Sequence, residues 1–189
     1  MLHLNDQYLI GEGCFKKCYH HPNDTERVIK IVKSTLSCHQ SRRYVVRIRR
    51  EVKALRQIAQ LNELKHYFPV FYGIVQTNLG EGYVFQKVDP HVDIFRSGCP
   101  ISRTMFGEII RILRLMIRYD IPFCPDLMRN VFIHNKRKNI YFLDGLGCKY
   151  YIPATMPPFP LCLRRYLMTR MIKKHIIANL RWIRNNNVV

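Results

Sequence analysis

Seven residues stand in a fixed order along a chain of 189: Gly11 and Gly13, then Lys30, Glu51, Asp126, Asn130 and Asp144. Glycines where one strand turns into the next let the backbone approach phosphates and point its N–H groups at them. Lys30 lies in the mostly apolar run 27–32, where its ammonium must snorkel to water or find an anion. Asp126 and Asn130 share one loop, and a following strand delivers Asp144. These residues supply a base and two oxygen ligands of the kind that Mg²⁺, a hard cation, prefers. The spacing between Asp126 and Asp144 leaves room for a small hairpin that brings both carboxylates to one cleft. Together the series suits the holding of a nucleoside triphosphate with magnesium and the transfer of a phosphoryl group.

Glu51 is the only acid between Glu26 and Glu63. Two partners are within its reach. Arg47, one turn earlier, offers a surface pair worth about 0.3–0.5 kcal/mol. Lys30, earlier in the chain, offers a pair that would fix the ammonium in place.

The elements that must position these groups follow from periodicity and turn chemistry. Residues 8–11 and 16–19 predict a hairpin around the glycines, and the turn His21-Pro22-Asn23-Asp24 precedes a strand over 27–32. Apolar residues at steps of three and four (Val45, Ile48, Val52, Leu55, Ile58, Leu61) predict an amphipathic helix over 41–61. Strands over 70–76 and 83–88 flank a turn at 78–82, and Asp89-Pro90 marks a break. A second, more apolar helix is predicted over 103–119. A loop over 124–130, opened by Pro125, leads to short strands at 131–133 and 140–143. Pro153, Pro157, Pro158 and Pro160 make an irregular connector before a basic amphipathic helix over 161–184.

Charge and composition bound the partners. The chain has 48% hydrophobic and 23% charged residues, a globular composition and not a disordered one. Its 31 Lys+Arg against 13 Asp+Glu give a net charge of +18, which attracts anions. No acid follows Asp144, and the stretch 42–56 holds seven cations around Glu51 alone. An acidic substrate or anionic surface is therefore the expected partner, with nucleic acid a less favoured one. Seven cysteines, an odd number without a C-x-x-C pair, fit a reducing interior. No signal-like start and no apolar run of about 20 residues is present, so the expected location is the cytoplasm.

These motifs resemble the protein-kinase-like superfamily and, more narrowly, the YrbL-like family of PhoP regulatory network proteins. The resemblance runs from Ile10 to about Gly147. It is carried by Ile10-Gly11-Glu12-Gly13, Val28-Ile29-Lys30-Ile31, the helix bearing Glu51, Pro125-Asp126-Leu127 with Asn130, and Leu143-Asp144-Gly145-Leu146-Gly147. It implies an α+β, minimal two-lobed kinase-like fold. Residues 1–88 would form a nucleotide-binding lobe, an antiparallel sheet plus one helix. Residues 89–189 would form a truncated helical lobe with the catalytic loop and the basic C-terminal helix. The likeness implies ATP and Mg²⁺ as cofactors and a monomer. Lys30 would contact the α/β-phosphates with Glu51 paired to it, and Asp126 would orient or deprotonate an acceptor hydroxyl. Asn130 and Asp144 would hold the metal.

The chain departs from the kinase pattern, and the missing third glycine and the shortened catalytic loop favour an alternative, a catalytically impaired module that regulates a partner. Lys16 takes the place of the third glycine. Asn130 follows Asp126 by four residues where kinases usually have five. Cys124-Pro125 replaces His-Arg, and Asp-Gly-Leu-Gly replaces Asp-Phe-Gly. A third reading is a binder of anionic surfaces or nucleic acid driven by the basic helix.

Overall fold

The structure is a computed structural model describing residues 1–35, 37–88, 91–93, 102–123, 130–134 and 139–146, with the helical pairs 162–163, 166–167, 169–170 and 173–174. Eight strands and two α-helices are described in the order β1 (Leu9–Glu12), β2 (Lys16–His21), β3 (Asp24–Val32), α1 (Cys38–Ala59), β4 (Phe71–Thr77), β5 (Gly80–Gln86), β6 (His91–Asp93), α2 (Arg103–Arg118), β7 (Val131–His134) and β8 (Ile140–Phe142).

The first five strands form one antiparallel sheet in the order β1-β2-β3-β5-β4, and the other three form a small sheet β6-β7-β8. Strand β3 is therefore interior, and Lys30 does not lie on a sheet edge open to water. Because directly opposed residues share a face, the register Gly11–Cys18–Lys30–Tyr83 runs across four strands on one side. Alternation then decides the rest. Ile29, Ile31, Tyr19 and Val84 pack on the opposite side with Leu4.

Helix α1 begins at Cys38, three residues before the sequence periodicity does. Ser37 caps it, accepting from the Gln40 N–H at 3.3 Å while Gln40 returns a bond to the Ser37 N–H. Such a box ties up two otherwise orphaned donors and is worth about 1 kcal/mol. The helix presses Ile48, Val52, Leu55 and Ile58 into a core shared with Tyr83 and Phe85 of β5. Helix α2 contributes Ile109, Ile112 and Met116 to that same core, and β7 and β8 add Val131 and Phe142. The side of the sheet that bears Lys30 thus faces a core continuous from α1 to β8. Outside it, Arg111 and Tyr67 both bond to Glu108, latching α2 to the turn after α1.

Two expected strands begin earlier than their β-rich residues suggest. Strand β3 starts at Asp24 and β5 at Gly80, because tight turns extend the ladders. Strand β6 (His91–Asp93) lay beyond sequence reasoning, since three residues carry no periodicity. The expected connector at 153–160 lies outside the described residues, and so does most of the helix over 161–184.

Candidate functional site

Lys30 projects from near the C-terminal end of β3 toward α1. Its Nζ lies 3.2 Å from Glu51 Oε1 and 3.3 Å from the Leu143 carbonyl, to which it donates. It also stands 4.4 Å above the Phe85 ring. Glu51 is 3% exposed, one of two buried polar or charged side chains among the described residues. A lone carboxylate at that depth costs several kcal/mol. It is offset here by two ammonium groups, since Glu51 Oε2 lies 3.6 Å from Lys16 Nζ. The same Lys16 Nζ donates to Asp144 Oδ2 at 2.9 Å.

The four charges form one alternating cluster, Lys30–Glu51–Lys16–Asp144. Burial works against the Lys30 ammonium, but the carboxylates of Glu51 and Asp144 outweigh it and hold its pKa above the ordinary lysine value. Burial likewise pushes the Asp144 carboxyl up. Lys16, Lys30 and the Gly145 N–H together more than reverse this and hold it well below the usual carboxylate range. Both groups are therefore charged at neutral pH. The Gly145 N–H donates to Asp144 Oδ1 at 2.8 Å, and Gly145 itself adopts φ 97°, a conformation that favours glycine.

Asn130 sits immediately before β7, and its carbonyl accepts from the Leu143 N–H at 3.1 Å. The β7–β8 pairing of Val131 with Phe142 thus sets Asn130 across from the residue that precedes Asp144. Above the cluster, Gly13 closes the β1–β2 turn by donating its N–H to the Lys16 carbonyl at 2.9 Å. A cavity of about 250 Å³ lies between this turn, α1 and Asp144; Gly13, Phe15, Lys16, Glu51 and Asp144 line it. Phe15 at the turn stacks on Tyr44 of α1 with ring centroids 3.8 Å apart. Gly11 lies in β1 opposite Cys18.

The structure thus brings together Gly13, Lys30, Glu51, Asn130 and Asp144, with Gly11 one strand away. Asp126 lies outside the described residues. In the sequence Lys16 occupies the third-glycine place, where a lysine could help screen phosphate charge, and the structure makes it a full member of the cluster. Its signal was that very substitution. The Phe15–Tyr44 stack had no signal, because the two aromatics lie on separate elements 29 positions apart.

The five-stranded sheet, the helix carrying Glu51 and the buried Lys–Glu pair define a kinase-like α+β fold. Solved structures agree. WbdD bound to a kinase inhibitor is similar with a TM-score of 0.53 at 14% identity, over 86% of this chain and 44% of WbdD. A structure of the bifunctional kinase-methyltransferase WbdD gives 0.52 at 14% identity, over 84% and 42%. At that identity the likeness concerns the fold. The relation in sequence is narrower: residues 2–92 match the family described as PhoP regulatory network protein YrbL. The uncharacterized protein YrbL of Escherichia coli (strain K12) is 34% identical over 111 residues, 59% of this chain and 49% of that protein. Its counterpart from Shigella flexneri matches with the same figures. The chain spans about half the length of these curated relatives. The resemblance in sequence is thus to the YrbL-like family, over residues 2–92, and the kinase-like likeness is one of fold.

Proposed function

We propose that this protein is a minimal kinase-like phosphotransferase that takes ATP with Mg²⁺ at the cleft beneath the Gly13 turn. The single observation that carries this reading is the buried Lys30–Glu51 pair at 3.2 Å, set against the low-pKa carboxylate of Asp144. Such a setting holds a lysine charged and aimed, as phosphate binding requires.

The residues fit the cofactors on two further grounds. A Cβ on Gly11 would meet nothing within 4 Å, and one on Gly13 only the Lys16 carbonyl at 3.7 Å. The space over both glycines is therefore open to the close approach of a ligand. The donor set also suits the metal, because Asp144 and Asn130 offer a carboxylate and an amide oxygen on adjoining segments.

In this reading Lys30 donates to phosphate oxygens and Glu51 fixes its direction. Asp144 and Asn130 would hold Mg²⁺, which would neutralise charge on the transferred group. Asp126 accepts the proton of the attacking hydroxyl. The acceptor is an acidic molecule or one borne on an anionic surface, in keeping with the chain's net charge of +18. The PhoP-network description of the family supports a regulatory setting for it.

One observation favours a second reading, a catalytically impaired module that binds nucleotide and regulates a partner. Lys16 occupies the third-glycine place and its ammonium already engages Asp144 at 2.9 Å. Two measurements separate these readings. Mg·ATP at 100 times its Kd should stabilise the fold by about 2.7 kcal/mol on heating, and Lys30→Ala or Asp144→Ala should abolish the shift. No shift in the wild-type protein would end both readings. Transfer of label from γ-labelled ATP to a cell extract, lost in Asp126→Ala, identifies the enzyme; binding without transfer identifies the regulatory module.

A further inference from the structure

Lys16 stands where a kinase-like turn needs only a backbone, yet it carries a charge into the cleft. Its main chain is pinned from both sides. Gly13 donates to its carbonyl, and its Cα pairs with Val32 of β3. The side chain is a quarter exposed, so its four-carbon stem leaves the ammonium at the mouth of the cavity and not in the packed interior. There Nζ holds Asp144 at 2.9 Å and Glu51 at 3.6 Å. Lys30, by contrast, is fastened from beneath by Glu51 and the Leu143 carbonyl. Of the two ammonium groups, that of Lys30 is the more deeply buried, at 15% exposure against 25%, and that of Lys16 stands beside the glycine turn.

A phosphate chain entering beneath Gly13 would meet the Lys16 ammonium before it met Lys30. We infer that Lys16 is a phosphate-binding lysine, which clamps Asp144 when the cleft holds no anion and turns to the phosphate oxygens of a nucleoside di- or triphosphate when one arrives. The inference rests on the nucleotide reading above for the nucleoside, but not for the phosphate chain. It accounts for the third-glycine substitution, since a mobile ammonium replaces the backbone contact that glycine would have provided. It also explains how Asp144 can stand ready without a cation of its own: a resident ammonium balances it until the ligand draws that ammonium away.

The test uses the full chain, with inorganic tripolyphosphate, ATP and adenosine as probes, read by thermal shift and titration. Four proteins are compared: wild type, Lys16→Met, Lys16→Arg and Lys53→Met, the last removing an equal charge from the exposed face of α1. Lys16→Met should weaken tripolyphosphate and ATP about tenfold or more, the loss of one charge-assisted hydrogen bond, and leave adenosine unaffected. Lys16→Arg should retain most of the affinity, which also guards against a Lys16→Met protein that fails to fold. Lys53→Met should behave as wild type. Equal or tighter tripolyphosphate binding by Lys16→Met overturns the inference, as does an equal loss in Lys53→Met or a wild-type protein that ignores tripolyphosphate. Tripolyphosphate binding that depends on Lys16, with ATP no better than tripolyphosphate and adenosine silent, would sink the nucleotide reading and leave Lys16 as a phosphate site.

Discussion

Glu51 turns one oxygen to Lys30 and the other to Lys16, at 3.2 and 3.6 Å, while almost wholly shut off from water. Removing one partner leaves a buried carboxylate half compensated, which is costlier than removing the whole pair. Lys30→Met should therefore destabilise the protein by about 3 kcal/mol, and the Lys30→Met/Glu51→Met double variant should recover much of the loss. Urea unfolding of the two variants checks this, and a double variant no better than the single would refute the account. The existence of the pair was legible from one acid isolated among cations on a predicted helix. Its competitor Arg47 was equally legible. Glu51 falls on the same helix face as Ile48 and Leu55, and Lys30 meets it there at 3.2 Å.

At the scale of elements, strand β5 determines how firmly Lys30 is seated. Gly82 pairs with Ile31, the neighbour of Lys30, and the space above its Cα is already taken. A Cβ there would lie 2.6 Å from Ile29 Cγ2, 3.2 Å from Thr77 Cγ2 and 3.3 Å from Val75 Cγ2. Ile29 is fully buried and β-branched, so it cannot swing aside. Gly82→Ala should cost about 1–3 kcal/mol by overpacking and loosen β5 from β3. A lowered urea midpoint with weaker Mg·ATP stabilisation is the expected result, and an unchanged midpoint would contradict it. The sequence reads residues 78–82 as a turn because two glycines and an asparagine cluster there. Only Gly80, with φ 106°, serves that purpose, and Gly82 serves strand packing. Glycine's two uses look alike in one dimension, so this distinction was invisible.

Across the whole molecule, the core runs without interruption from α1 and β5 through α2 to β7 and β8. Elements that share one apolar core lose it together. Calorimetry should therefore show one transition with equal calorimetric and van't Hoff enthalpies; two resolved transitions would mean that this core does not melt as one unit. Among the described residues no helix is long and apolar enough to cross a membrane. Residue types and their order were enough to predict strands, two helices and a set of groups suited to phosphate and metal, because period, turn chemistry and charge are local properties. Adjacency was another matter. Lys16 lies 128 positions from Asp144 and Lys30 113 from Leu143, yet each pair is within hydrogen-bond distance. Such contacts arise only when a shared core folds the sheet over the β7–β8 hairpin, and a balance of buried charges across that joint has no signature along the chain.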